Sequence, residues 1–264
     1  MKYLNIGLML CIISLTASTA IAHDDHDHSQ SASITDTMNN KSIYIDANFV
    51  MGKFEPKSHP DFVPIAAKYA NRNGLYLQKS AYQAFTNMHA DALKAGVQLQ
   101  IRSASRNFNY QKGIWERKWT GQTKVSGQNL SKTQPNPVQR AKTILRYSSM
   151  PGSSRHHWGT DIDLNSFENS WFATGEGLKL YQWLQNNAAN YGFCQVYTSK
   201  VQTARTGYEE EKWHWSYRPL AREYTAFAKQ YINAQQFAGF KGAKVAADVH
   251  IVKSYILGIN PACF

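Results

Sequence analysis

Cysteine is scarce: the 264-residue chain holds three, and Cys11 falls in an N-terminal stretch that reads as removable. A disulfide-dense secreted scaffold is thereby excluded. Aromatic residues make up 13% of the chain, enough for a packed core without such a framework. Long apolar runs are missing too. Beyond the first 22 residues no segment approaches the roughly twenty apolar residues that span a bilayer, so no integral span is expected. Acidic residues are few, 18 against 29 basic ones. The resulting charge of +11 suits attraction to an anionic cell wall or membrane surface, or simple solubility. Nucleic acid is not an expected partner, because no clustered Lys/Arg helix or recognition motif accompanies that charge. No internal repeat is evident, and the H-E-x-x-H helix of common zinc proteases is absent. Any zinc site must therefore be assembled from separated segments.

What is present begins with a secretory signal over residues 1–22. Lys2 supplies the positive start, Ile6 to Leu15 the apolar run, and Ala20-Ile21-Ala22 a small-x-small cleavage site. Export to a periplasm or cell envelope is the expectation. Leu10 stands where a lipoprotein signal needs a small residue before Cys11, which makes lipidation the lesser reading. Residues 23–42 form a polar leader in which His23, His26 and His28 interleave with Asp24, Asp25 and Asp27. It reads either as a solvated, disordered leader or as a weak zinc-capturing tail. Residues 43–264 are expected to form one domain. Once the signal is removed, Cys194 and Cys263 remain. They allow one bridge tying down the C-terminus, or two separate buried thiols, and geometry decides between them.

Within the domain, Tyr82, Phe85, Met88 and Ala92 share one face of a helix over 79–95 that Gly96 can end. Val97, Leu99 and Ile101 alternate with Gln98, Gln100 and Arg102 as a half-buried strand. Helices are expected over 110–119 and 138–147, separated by a Gly/Ser/Thr/Pro-rich loop over 121–137. Leu178, Tyr181, Leu184 and Ala188 mark a further helix stopped at Gly192, followed by strands near 193–197 and 213–217. Pro219 can open a helix carrying Leu220, Tyr224, Phe227 and Tyr231, and the apolar stretch 243–257 is ambiguous. The mixture lacks a regular βαβ rhythm, so the fold class is α+β.

The chemistry concentrates in SSRHHWGTDIDLN, residues 153–165. Thr160, Ile162 and Leu164 alternate with Asp161 and Asp163, which places the two carboxylates on one face of a strand. His156 precedes it across the Gly159 turn, so His156 and Asp163 can reach one cation. A catalytic zinc needs three protein ligands and an open position, and His214 in E-K-W-H-W-S-Y is the candidate third. Glu211 in the same segment can stand beside the metal without ligating it, taking a proton from water and returning it to a leaving amine.

S-x-H-x-x-G-x-x-x-D (Ser154, His156, Gly159, Asp163), followed about fifty residues later by E-x-W-H-W, resembles the VanY-type D-alanyl-D-alanine carboxypeptidases. These belong to the zinc group that includes lysostaphin-like and hedgehog-like domains. Ser103-Ala104-Ser105-Arg106-Asn107-Phe108-Asn109-Tyr110-Gln111 is similar to the family's S-G-Y-R-S-x-x-x-Q block. The three ordered motifs cover roughly residues 80–220. The resemblance implies a small, mainly antiparallel sheet flanked by helices and one catalytic zinc. It further implies His156, Asp163 and His214 as ligands, Glu211 as general base and then acid, and Arg106 supporting the scissile carbonyl and its oxyanion. Gln111 and Ser154 match positions lining the peptide's C-terminal end. The sequence departs from the family at Asp161, where alanine is usual, and at Lys212, where proline is common; His157 is extra. Asp161 reads as a carboxylate orienting a ligating histidine or as a solvated strand residue. His157 reads as loop packing before groove lining. Trp158, Trp213, Trp215 and Tyr217 read as core and pocket wall.

The function expected is an exported metallopeptidase removing a terminal D-amino acid from peptidoglycan stem peptides, with the loop over 121–137 covering one side of the site. The rivals are an L,D-carboxypeptidase or peptidoglycan endopeptidase, a non-catalytic zinc- or wall-binding module, and a zinc scavenger built on the leader. Glu211 argues against the non-catalytic module, and the scavenger would hold more than one zinc per chain. The sequence holds no indication of oligomeric state.

Overall fold

Two short antiparallel strands, β1 (Phe62–Pro64) and β2 (Tyr76–Gln78), lead into α1 (Lys79–Lys94). This computed structural model describes residues 45–264, so the signal, Cys11 and the His/Asp leader lie outside the described residues. In α1 the residues Ala81, Phe85, Met88 and Ala92 recur at helical spacing and are all buried. Gly96 closes the helix with φ +68°, a conformation that a side chain would oppose. The chain continues through β3 (Ile101–Ser103), α2 (Phe108–Trp119), α3 (Pro137–Ile144), β4 (Asp161–Leu164), α4 (Gly175–Asn187), β5 (Phe193–Gln195), β6 (His214–Tyr217) and α5 (Arg218–Tyr231).

The main sheet has the order β3-β4-β6-β5, and every neighbouring pair is antiparallel. An antiparallel sheet with helices packed on it is the α+β architecture expected. Its two faces differ in chemistry because side chains alternate along each strand. Ile162 and Leu164 of β4 and Trp215 of β6 join Phe85, Met88, Leu180 and Leu184 in one apolar core against α1 and α4. The opposite face carries Asp161, Asp163, His214 and Ser216, all buried. A second apolar core, including Trp115, Trp158, Tyr197 and Tyr224, surrounds that polar layer from α2, α5 and the C-terminal segment.

Several element ends differ from the sequence expectations. The helix placed over 138–147 is α3, ending at Ile144, which frees Tyr147 for a different use. The loop over 121–137 contains a helical turn, Leu130–Thr133, whose Leu130 is fully buried. In α4 the inward positions are Leu180, Tyr181 and Leu184, while Leu178 is exposed. The stretch over 243–257 resolves into short turns, Ala243–Val245 and Ile251–Ile256, whose packing exceeds their local regularity. The cysteines form the bridge: Cys194 on edge strand β5 is disulfide-bonded to Cys263. Asn260 reinforces the tie by donating its backbone N–H to Val196 O and its Nδ2 to Gln195 O, both at 2.9 Å. The C-terminal segment thus covers the open edge of the sheet. Among the described residues, no helix is long and apolar enough to cross a membrane.

Candidate active site

Arg155–Trp158 form a single tight helical turn, and Gly159 reverses the chain into β4 with φ +68°. A Cβ at Gly159 would stand 2.2 Å from the Phe62 ring, so the reversal requires glycine. The reversal places His156 Nε2 3.3 Å from Asp163 Oδ2. The β4–β6 register pairs Asp163 with His214, and His214 Nδ1 lies 3.6 Å from Asp163 Oδ1. Donor atoms of the three residues lie within 4.8 Å of one another.

Hydrogen bonds decide which nitrogen each histidine offers. His156 Nδ1 is 2.9 Å from Ala104 O, and a carbonyl only accepts, so Nδ1 carries the proton and Nε2 keeps its lone pair. That Nε2 has no hydrogen-bond partner, nor does Asp163 Oδ1, although both atoms are buried. His214 Nε2 lies 2.8 Å from Asp161 Oδ2, so Nε2–H donates there and Nδ1 faces Asp163 and Glu211. Two imidazole nitrogens and a carboxylate, with two orphaned atoms among them, fit the donor chemistry of zinc.

Asp161 is saturated by comparison. Its Oδ1 accepts from Thr160 Oγ1 (2.7 Å) and Ser216 Oγ (2.6 Å), and its Oδ2 accepts from Arg155 Nε (3.2 Å) and His214 Nε2 (2.8 Å). Arg155 spends its remaining donors on Thr225 and Ser216 and lies over the Trp158 ring. Burial alone would raise the Asp161 pKa, but Arg155 and His214 outweigh it and hold the carboxyl below its ordinary value. Burial opposes charge on His214, yet its bonds to Asp161 and Glu211 push its pKa up to about 10. A dication would compete with that proton at Nδ1.

Glu211 sits one turn before β6 rather than on it. Its Oε2 is 3.0 Å from His214 Nδ1, and its backbone N–H donates to Tyr197 O at 2.8 Å. Burial raises its pKa, with His214 opposing. Arg106 follows β3; its backbone N–H donates to His156 O at 3.0 Å, and its side-chain Nε is buried without a partner. His157 is fully buried and lines no groove. Its Nε2 accepts from Gly152 N–H (3.1 Å) and its Nδ1 donates to Arg106 O (2.6 Å), so it fixes the backbone of Arg106.

These groups open into a cavity of about 550 Å³ whose wall includes Arg106, His156, Asp163, Glu211 and His214. Ser154 Oγ and Gln111 Oε1 are buried without a hydrogen-bond partner. Both residues are 1% exposed and neither is on the cavity wall. Gln111 Nε2 donates instead to Ser149 O at 2.8 Å, so it supports the wall from behind. The loop over 121–137 does not line the cavity either; residues 147–149 and 167–170 do. Asn169 clamps the second of these loops to the Glu211 segment, donating Nδ2 to Glu210 O (2.8 Å) and accepting Lys212 N–H (3.1 Å). A proline at 212 would lack that N–H. Sequence reading missed Tyr197 and Tyr208, which line the cavity with their rings tilted against each other and Tyr197 edge-on to His214. It also missed Lys118, for which a signal existed: Gln111, Ile114 and Lys118 recur on one face of α2.

A buried three-donor cluster, a carboxylate beside it and a cation on the wall of the same cavity define a site of the metallohydrolase class. The family model for the VanY D-alanyl-D-alanine carboxypeptidases matches residues 74–220, and the chain belongs to this family. It is 29% identical over 148 residues to the putative carboxypeptidase YodJ of Bacillus subtilis (strain 168), covering 54% of this chain and 46% of that protein. It is 30% identical over 128 residues to a D-alanyl-D-alanine carboxypeptidase of Enterococcus faecalis (strain ATCC 700802 / V583), covering 48% and 43% respectively. The matches thus span about half the length of these relatives. Among solved structures, the LdcB LD-carboxypeptidase is similar with a TM-score of 0.47 at 23% identity, covering 79% of this chain and 81% of that one. VanYB in complex with D-alanine-D-alanine is similar with a TM-score of 0.42 at 23% identity, covering 63% and 87%.

Proposed function

We propose that this protein is an exported zinc carboxypeptidase that removes a terminal D-amino acid from peptidoglycan stem peptides. One observation carries the reading. His156 Nε2, Asp163 and His214 Nδ1 converge, with Glu211 Oε2 3.0 Å from that Nδ1, in a cavity that also holds Arg106. Export rests on the signal-like residues 1–22, and the substrate class on family membership.

His156, Asp163 and His214 would hold the ion. When bound, zinc supplies Lewis acidity, polarising a carbonyl and making water more acidic. The chain's own residues do the rest. Glu211 takes a proton from the attacking water at Oε2 and returns it to the amine that leaves. Arg106, pinned through its backbone by His156 and His157, presents a fixed cation to the charge developing on the scissile carbonyl oxygen. Asp161 keeps His214 Nε2 protonated and its Nδ1 directed inward.

Glu211→Gln is expected to retain stoichiometric zinc while lowering wall-peptide hydrolysis by roughly 10²- to 10⁴-fold. Unchanged cleavage in that variant defeats the enzymatic reading. Mass spectrometry of muropeptide digests locates the bond: loss of one terminal alanine from a pentapeptide stem supports the D,D assignment. Shortening of tetrapeptide stems alone makes the enzyme an L,D-carboxypeptidase, and an internal fragment makes it an endopeptidase.

A further inference from the structure

Gln195 is a buried amide on an apolar face. It follows Phe193 on β5 and shares its side of the sheet, the side packed against α4, with 6% of its surface exposed. A carboxamide buried there is costly unless its donors and acceptor are matched. All are matched. Its Oε1 accepts from Tyr181 OH at 2.8 Å, and its Nε2 donates to Tyr197 O at 3.2 Å and to Glu211 O at 3.3 Å. The Glu211 N–H in turn donates to Tyr197 O at 2.8 Å. One side chain thus ties the backbone at 197 and 211 to α4.

Glu211 depends on this support. Its carboxylate bonds to His214 Nδ1, the nitrogen that faces Asp163 and would meet the ion. Once that nitrogen is committed to a cation it no longer donates to Glu211. What then aims the carboxylate is the backbone that carries it. Asn169 holds residues 210 and 212 from the cavity wall, and Gln195 holds residue 211 from the apolar layer.

Gln195 is no steadier than its own strand, and β5 is an edge of the sheet. There the C-terminal tail makes three successive attachments. Cys263 is bonded to Cys194, Asn260 Nδ2 donates to Gln195 O, and the Asn260 N–H donates to Val196 O. The family match stops at residue 220, and this tail is not part of it.

We infer that Gln195 is a positioning residue for Glu211, and that the C-terminal tail, through Asn260 and the Cys194–Cys263 bridge, holds Gln195 in place for that task. The inference rests on the carboxypeptidase reading for the role of Glu211. Full turnover is thereby coupled to a clamped tail.

The test begins with Gln195→Met, which keeps the side-chain length without its hydrogen bonds. In the zinc-loaded chain it should retain stoichiometric zinc, lower kcat roughly 10- to 100-fold and leave KM within about two-fold. Tyr181→Phe, which frees the amide oxygen, and Asn260→Ala should each lower kcat by about 2- to 10-fold. Replacing both cysteines by serine should act in the same direction. The decisive comparison adds Gln195→Met to Glu211→Gln. The residual rate should then change less than about two-fold, because the group that Gln195 positions is gone. A further loss as large as that in the single variant marks a general structural effect and overturns the inference. A wild-type kcat in Gln195→Met overturns it too.

Amide hydrogen exchange of the metal-free chain gives a readout independent of turnover. Gln195→Met and Asn260→Ala should speed exchange over residues 208–213 roughly 5- to 10-fold, with α1 as protected as in the wild type. Unchanged exchange over 208–213 overturns the inference. If α1 loses protection in Gln195→Met, Tyr181→Phe decides alone, and a wild-type kcat there overturns the inference. Faster exchange in these variants of a protein whose wild type cleaves no stem peptide overturns the carboxypeptidase reading and leaves the support of residue 211 standing.

Discussion

Two pairs of residues face each other across β4 and β6 on the same side of the sheet, two residues apart along each strand: Asp163 with His214, and Asp161 with Ser216. Both aspartates are buried, which opposes ionisation, yet both carboxyls are held below their ordinary pKa values, Asp161 chiefly by Arg155 and Asp163 chiefly by His156. Their hydrogen-bond accounts are opposite. Asp161 accepts four bonds and has no capacity left, whereas Asp163 Oδ1 accepts none. The difference separates a carboxylate that holds a ligand in place from one that can itself be a ligand. Burial and charge are shared by both; unspent lone pairs are not.

The sharpest way to break the comparison is to neutralise each carboxylate in turn. Asp163→Asn should leave the purified protein without stoichiometric zinc and with hydrolysis at the level of chelator-treated enzyme, read by metal analysis and peptide cleavage. Asp161→Asn should weaken zinc affinity or activity by only about 10- to 100-fold. Equal effects would erase the distinction between the two positions.

Arg155→Met attacks the saturated end from the other side, leaving Asp161 charged and buried without its guanidinium. It should cost about 3–5 kcal/mol in urea denaturation. Combining it with Asp161→Asn should recover part of that loss. A smaller effect is expected at the edge of the sheet. Replacing Cys194 and Cys263 by serine opens a 69-residue link and should cost about 2–5 kcal/mol, measured the same way.

The mildest test uses pH. Burial lowers the His157 pKa from 6.5 to about 3, outweighing the bond that the ring donates to Arg106 O, which acts the other way. Between those values the unfolded ring binds a proton and the folded one does not. Stability from this residue is therefore complete above pH 6.5 and falls with acidification by about 1.4 kcal/mol per pH unit. His157→Gln should flatten that slope in acid-unfolding curves.

The element types and the reactive residues were readable because they rest on local chemistry. Phe85, Met88 and Ala92 repeat at helical spacing, and Asp161 and Asp163 alternate with apolar neighbours. Glycine at 96 and 159 marks turns that the backbone confirms with positive φ. The cavity wall was not readable in this way. Residues 147–149 and 167–170 line it because α2 and Asn169 hold them there, and the longer, more loop-like 121–137 segment does not line it. Leu178 and Leu180 both fit an apolar helix, and only packing against the sheet decides which turns inward.

The sequence by itself offered the donor types, His156, Asp163 and His214, and a carboxylate and a cation for the same site, Glu211 and Arg106. It did so because side-chain chemistry and strand alternation are properties of the chain and its immediate neighbours. Tertiary structure alone decided that His156 offers Nε2 and His214 Nδ1, that Asp161 is spent while Asp163 is not, that Lys118 reaches the cavity, and that Cys194 meets Cys263. The histidine nitrogens and the disulfide depend on partners 50 or more residues away, as with Ala104 for His156, Asp161 for His214 and Cys263 for Cys194, and Lys118 meets Ser148 30 residues on. Register and burial bring such partners together, and neither is written in the spacing of the residues concerned.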